Sequence, residues 1–242
     1  MERYARLMLP MLAIGTLAPA VPLAASVFQV FPVTIEASAE APAGVVTLSN
    51  GSKEPIALQV RVFRWTQVGG QDVLTPTQDV VASPPAAKIE PGGRQLVRVV
   101  RVSSVPAASE EAYRLIIDEL PVSKPAPTNG IRILLRQSIP VFLGSSPKAS
   151  PRLTWRIGRV GDGWQLSAVN SGSRRQRISD LEVRDGAGKL LGRRPGLVGY
   201  VLPGSEAHWP VDVHEASAVP ARLVAASDAG AVHADLAGAS QP

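Results

Sequence analysis

The chain of 242 residues contains no cysteine. No disulfide can brace it, and with only three histidines it has too few good ligands for a structural zinc site. Aromatic residues are scarce, at 5%. Beyond the N-terminus no segment reaches the roughly 18 uninterrupted apolar residues of a membrane-spanning helix. Runs of lysine or arginine are missing as well. The formal net charge of +5 is scattered along the chain, whereas a nucleic-acid surface concentrates its basic residues. Helical periodicity is hard to find. What the chain does have is 22 prolines and 21 glycines, alternating with short stretches rich in Val, Leu and Ile. That is the all-β pattern, and its stability must come from buried apolar area.

The N-terminus reads differently. "MERYARLMLPMLAIGTLAPAVPLAAS" places Arg3 and Arg6 before an apolar stretch and small residues at Ala24 and Ala25. This is the layout of a secretory signal peptide spanning residues 1–25. Its removal takes away Glu2, Arg3 and Arg6, lowers the formal charge by one, and leaves no segment expected to insert in a membrane.

Strands are expected at Val27–Glu36, Val45–Ser49, Ile56–Thr66, Val80–Val81 with Lys88–Ile89, Gln95–Val102, Ala112–Glu119 and Ile131–Phe142. That is about seven, the number of an immunoglobulin-like sandwich. "LGSSPKASPRL" (Leu143–Leu153) has the composition of a linker. A second set follows at Arg152–Arg159, Gln165–Asn170, Ile178–Arg184, Leu197–Leu202, Ala207–Val213, Ala221–Ala226 and Val232–Leu236. The expected organisation is a first sandwich over residues 26–146 and a second over 147–242. The halves share no strong sequence repeat.

Catalytic constellations are poor throughout. His208 and His214 in "HWPVDVH" are six apart on a strand and share a face, but a metal would need further ligands. No G-x-S-x-G elbow occurs. "GAGKLLG" (Gly186–Gly192) lacks the hydroxyl that a phosphate loop needs after its lysine, and reads as a hairpin turn. Asp118 and Glu119 are adjacent, so on a strand they point to opposite faces. No enzyme activity and no cofactor are expected.

The stretch Ile131–Phe142 asks for a different explanation. One face carries Ile131, Ile133, Leu135, Ile139 and Val141, and the other carries Arg132 and Arg136. About twelve residues is long, since five or six is usual. Pro140 cannot donate to a ladder, which places this strand at an edge. A long apolar edge invites pairing with another chain. Its stripe serves either its own core or that of a partner.

Taken together, these segments resemble the periplasmic chaperones of chaperone–usher pilus assembly, in their archaic, spore-coat-U-associated branch. "EPGGRQLVRVVRV" (Glu90–Val102) is similar to the family's Pro-Gly turn and following strand. "YRLIIDELP" (Tyr113–Pro121) is similar to its Tyr-Arg strand, and "ILLRQSIPVF" (Ile133–Phe142) to the last strand of its first domain. "GYVLPGSEAHWPV" and "AASDAG" sit where the family has a Pro turn and an Asp-x-Gly hairpin. The resemblance implies two immunoglobulin-like domains in an L, located in the periplasm. Its partners would be pilin or fimbrial subunits and an outer-membrane usher. Strand 131–142 would insert Ile131, Ile133, Leu135, Ile139 and Val141 into a subunit groove. Self-association of the free chain would hide the same stripe.

The family also grips the subunit's C-terminal carboxylate with two cations. The usual positions are uncharged here, at Phe31–Thr34 and Ser138–Pro140. Arg114 and Arg136 are the nearest substitutes, with solvated strand arginines as the plainer reading. Glu119 and Asp228 match the acidic partners of an interdomain salt bridge, while Gly144 stands near the expected basic one. The competing reading is a secreted β-sandwich adhesin or carbohydrate-binding protein, presenting some of Trp65, Trp155, Trp164 and Trp209 at its surface.

Overall fold

In the computed structural model the described residues are 28–103, 107–121, 133–213 and 219–236. Expectations that fall on residues 1–27, on Ile131 and Arg132, or on His214 lie outside them. The described chain is all β, without a helix. Ten strands build two sheets from the first part of the chain: β1 (Phe28–Phe31), β2 (Ile35–Ser38), β3 (Ala43–Asn50), β4 (Ile56–Val68), β5 (Gln71–Pro76), β6 (Val80–Ser83), β7 (Ala86–Ile89), β8 (Arg94–Arg101), β9 (Glu111–Leu120) and β10 (Arg136–Ser145). Seven more build two sheets from the second: β11 (Leu153–Val160), β12 (Gly163–Asn170), β13 (Gln176–Arg184), β14 (Leu190–Val201), β15 (Glu206–Val211), β16 (Arg222–Ser227) and β17 (Gly230–Asp235).

The first sandwich packs β1-β3-β8-β6 against β2-β10-β9-β4-β5, with β7 paired to β4. Inward residues alternate along each strand, and Val46, Leu48, Val97, Val99, Leu115 and Ile117 are fully buried between the sheets. The expected strand Val27–Glu36 is two strands. The chain bends at Pro32–Thr34 and crosses from one sheet to the other, so that β1 pairs with β3 and β2 with β10. The hairpin β4–β5, not foreseen, turns at Gly69-Gly70, both with positive φ. The second sandwich packs β11-β12-β15 against β14-β13-β16-β17 around a separate core that includes Trp155, Leu166, Ile178, Leu181 and Leu223. "GAGKLLG" lies at a turn, as expected: the Asp185 carboxylate accepts the N–H groups of Ala187 and Lys189. The connection expected from Leu143 is shorter, because β10 runs on to Ser145.

The two sandwiches repeat one device that the sequence comparison missed. Asn50 ends β3 and Asn170 ends β12, and both are buried. Each amide donates to two carbonyls, of Glu54 and Ile89 in one case and of Arg174 and Val201 in the other. Each side-chain oxygen accepts an N–H two residues on, from Ser52 and from Gly172. Their backbones pair with the turns Pro91-Gly92-Gly93 and Pro203-Gly204-Ser205. A buried amide with its hydrogen bonds made fixes one corner of each sandwich.

Candidate functional site

Among the described residues, strand β10 is paired with β9 from Arg136 to Leu143, but with β2 only from Val141 onward. Which backbone groups face the open side follows from the ladder. Opposite residues of an antiparallel pair alternate between exchanging both hydrogen bonds and none. The Glu119 N–H donates to Leu135 C=O at 2.9 Å, so with this register Gln137, Ile139 and Val141 bond to β9. Arg136 and Ser138 turn N–H and C=O away from it, and Pro140 has no N–H to offer there. The open stretch thus runs up to Pro140, where β2 takes over.

The same register divides the apolar stripe. Ile139 and Val141 are 5% and 0% exposed and, with Leu143, belong to the core of the first sandwich. These two are corrected: their side chains are already used at home. Leu135 is half-buried against that core, and Ile133 is 52% exposed, upstream of the first strand residue, Arg136. The strand is long because it does two jobs in series. Ile139, Val141 and Leu143 fill the chain's own sandwich, while Arg136–Pro140 leave the side away from β9 without a strand partner among the described residues.

Beside this edge lies the outward face of β4, β9 and β10. Its inner end is covered: Trp65, Ala112 and Phe142 form a cluster with Tyr200 and Leu202 of the second sandwich. Arg114 stands at the margin of that cover, opposite Pro140 and Phe63 in register. Its guanidinium lies 3.7 Å from the Trp65 ring centre and 6.0 Å from that of Tyr200. Burial pushes its pKa down, while the Asp72 charge opposes this. No carboxylate of the described residues forms an ion pair with it. Arg136 is different. Its Nε donates to Asp118, which also accepts from Arg61 at 2.6 Å. Although burial favours the neutral Asp118 carboxyl, these two cations hold it below the usual carboxylate range. The structure does not bring Arg114 and Arg136 together, since four residue steps of strand, about 13 Å, separate them.

The seam between the sandwiches is also held by residues other than those expected. Asp228 accepts from Gln176 at 2.6 Å within the second sandwich, and Glu119 accepts the Leu135 N–H at 3.3 Å within the first. Among the described residues the ion pairs across the seam are made by Glu36 and Glu110 with Arg174 and Arg175. Arg175 Nη1 lies 2.6 Å from Glu110, with side chains 3% and 1% exposed, and Arg175 also pairs with Glu36. Its guanidinium sits 3.6 Å from the Phe142 ring centre. Burial pushes the Glu110 carboxyl up against the pull of Arg175. The backbone N–H of His208 donates to Gly70 O, and the His208 ring fills the space where a Cβ on Gly70 would stand.

The sequence profile described as "Pili and flagellar-assembly chaperone, PapD N-terminal domain" matches residues 27–149, just over half of the chain. The chain belongs to this chaperone family. The chaperone's whole fold agrees. It matches the archaic chaperone–usher protein CsuC of Acinetobacter baumannii, solved with the tip subunit CsuE, at 26% identity and a TM-score of 0.68, over 87% of this chain and 98% of that one. A chain of the SafA pilin–SafB chaperone complex of Salmonella enterica matches at 16% identity and a TM-score of 0.62, over 90% and 99%. The E. coli chaperone DraB matches at 17% identity and a TM-score of 0.59, over 88% and 98%. No curated protein sequence matches. The chaperone acts in pilus assembly, and its two-sandwich, all-β fold is the one that the motifs implied. The adhesin reading loses its basis, because Trp65, Trp155, Trp164 and Trp209 are all buried.

Proposed function

We propose that this chaperone works in the periplasm, exported by residues 1–25, with a first domain over 26–146 and a second over 147–242. There it holds an incomplete pilin or fimbrial subunit and passes it to an outer-membrane usher. The subunit's edge strand adds to the open side of β10 at Arg136–Pro140. Ile131, Ile133 and Leu135 complete the subunit's core in trans, while Ile139 and Val141 keep the strand rooted. Arg114 grips the subunit's C-terminal carboxylate, and Arg136 serves to orient Asp118.

The observation that carries this reading is the half-open strand. Its backbone groups point outward over one segment only, and that segment adjoins exposed aliphatic side chains. Fully burying one such side chain contributes roughly 1.5–3 kcal/mol, and the added ladder fixes its register. Arg114 adds a half-buried cation that pairs with no carboxylate of the described residues. A guanidinium takes a carboxylate through two parallel hydrogen bonds.

Co-expression with a signal-bearing subunit that lacks its final strand tests the proposal. The two chains are expected to be recovered from the periplasm as a one-to-one complex, with the chaperone's N-terminus at residue 26. With Ile133→Asp the chaperone is expected to fold and the subunit to be degraded. A complex that survives this substitution refutes the groove-donor role.

A further inference from the structure

We propose that Trp65, Tyr200 and Gln67 are positioning residues for Arg114, so that the second sandwich shapes the grip on the guest carboxylate. This rests on the reading of Arg114 as the anchor.

An arginine side chain carries five N–H donors and no acceptor. Arg114 brings them to a half-buried place where no carboxylate of the described residues accepts them. Held only by its own four-atom stem, such a group would sample many rotamers, and each would have to be given up on binding. Here one face of the guanidinium is fixed by the Trp65 ring at 3.7 Å. Stacking occupies a face and leaves the planar edge, the part that meets a carboxylate, clear.

Trp65 cannot set that plane alone. It is 2% exposed, and its ring is held by Tyr200 at 5.4 Å in an edge-on contact, with Phe142 at 5.9 Å. Tyr200 belongs to β14, in the other sandwich. What holds Tyr200 is Gln67, near the end of β4. Its Nε2 donates to Tyr200 C=O at 2.8 Å, and its Oε1 accepts the Leu202 N–H at 2.9 Å. One side-chain amide thus does the work of a strand neighbour across the seam. The same Nε2 donates to Asp72 at 2.9 Å. That carboxylate acts on Arg114 through its charge, without a hydrogen bond to it. The order of support is therefore Gln67, Tyr200, Trp65, Arg114, and it crosses the seam twice.

A merely structural seam would change how tightly any guest binds, but not the chaperone's preference for a free carboxylate. The probe is a synthetic peptide of alternating valine and threonine with a solubilising N-terminal lysine pair. It is made once as the C-terminal acid and once as the amide, and titrated against the full chaperone. The wild type is expected to prefer the acid by about tenfold, as for a hydrogen bond to a charged group. Arg114→Met should abolish the preference. Tyr200→Leu and Gln67→Ala should cut it to threefold or less while the amide binds as before, and Tyr200→Phe should restore it.

A wild type that binds both peptides alike, or neither, overturns the anchor reading and this inference with it. If Arg114→Met removes the preference but Tyr200→Leu and Gln67→Ala keep it at tenfold, the anchor stands and the positioning role is refuted. Gln67→Ala keeps the test decisive should Tyr200→Leu fail to fold.

Discussion

Ile133 and Ile139 are the same residue type, on the same face of one segment, six positions apart, and truncating them should have opposite consequences. Ile139 is 5% exposed inside the first core. Ile139→Ala removes buried groups and leaves a cavity between two sheets, which costs about 2–5 kcal/mol. In urea this should appear as a lower midpoint with an unchanged slope. Ile133 is already 52% exposed, so Ile133→Ala should leave the unfolding free energy within about 0.5 kcal/mol of wild type. Its effect belongs to the complex. Three lost carbon groups at about 0.8 kcal/mol each, of which about half stay wet before binding, give about 1 kcal/mol. That is about a fivefold loss of subunit affinity. The assay pairs urea unfolding of the free chaperone with titration of a subunit. If Ile133→Ala destabilises the free protein as much as Ile139→Ala does, or if only Ile139→Ala weakens capture, the division of the stripe between Leu135 and Ile139 is refuted.

Two further expectations concern charge. Arg175→Met leaves Glu110 buried beside an apolar side chain. It should lower stability by about 3–5 kcal/mol in urea unfolding, and adding Glu110→Leu should recover most of it. If the double variant is no better than the single, the loss came from the contact with Phe142 and not from the stranded carboxylate. The second concerns acid. Burial pushes the Glu111 carboxyl up, but hydrogen bonds from Arg101 and Tyr113 outweigh it and hold the group below its ordinary 4.5. With the folded value depressed, this stabilisation is complete above pH 4.5 and is lost as pH falls through the folded value. Glu111→Gln should therefore be less stable at pH 7 and lose less between there and pH 3. An unchanged acid limb in a pH series of urea midpoints would refute it.

The fold was legible because its signals are local. Alternation along "VVTLSN" and "RQLVRVV" marks half-buried strands, and Pro91-Gly92 and Asp185–Lys189 mark bends by their own chemistry. The open edge was legible in part. Pro140 announced an edge, but nothing in the periodicity tells which isoleucines of one face meet the chain's own core, because that depends on where the opposing sheet ends. The seam was the least legible. Glu36, Glu110 and Arg175 are far apart in sequence and make sense only as a group. The adjacent pairs Glu110-Glu111 and Arg174-Arg175 were the only hint, and charged neighbours usually face water. The repeated asparagine corner escaped notice because its two copies share few residues beyond the asparagine, the glycine and serine that follow it, and a distant Pro-Gly.

Pro140 also acts as a gauge. A ladder added from outside can run along Arg136 and Ser138, but it meets a residue with no hydrogen to give, and then a parallel neighbour already in place. Any tail laid on this edge stops at one point, whatever its side chains, and Arg114 stands abreast of that point. On the proposal that Arg114 takes the client's terminal carboxylate, this stop and that cation together set where the client's last residue lies.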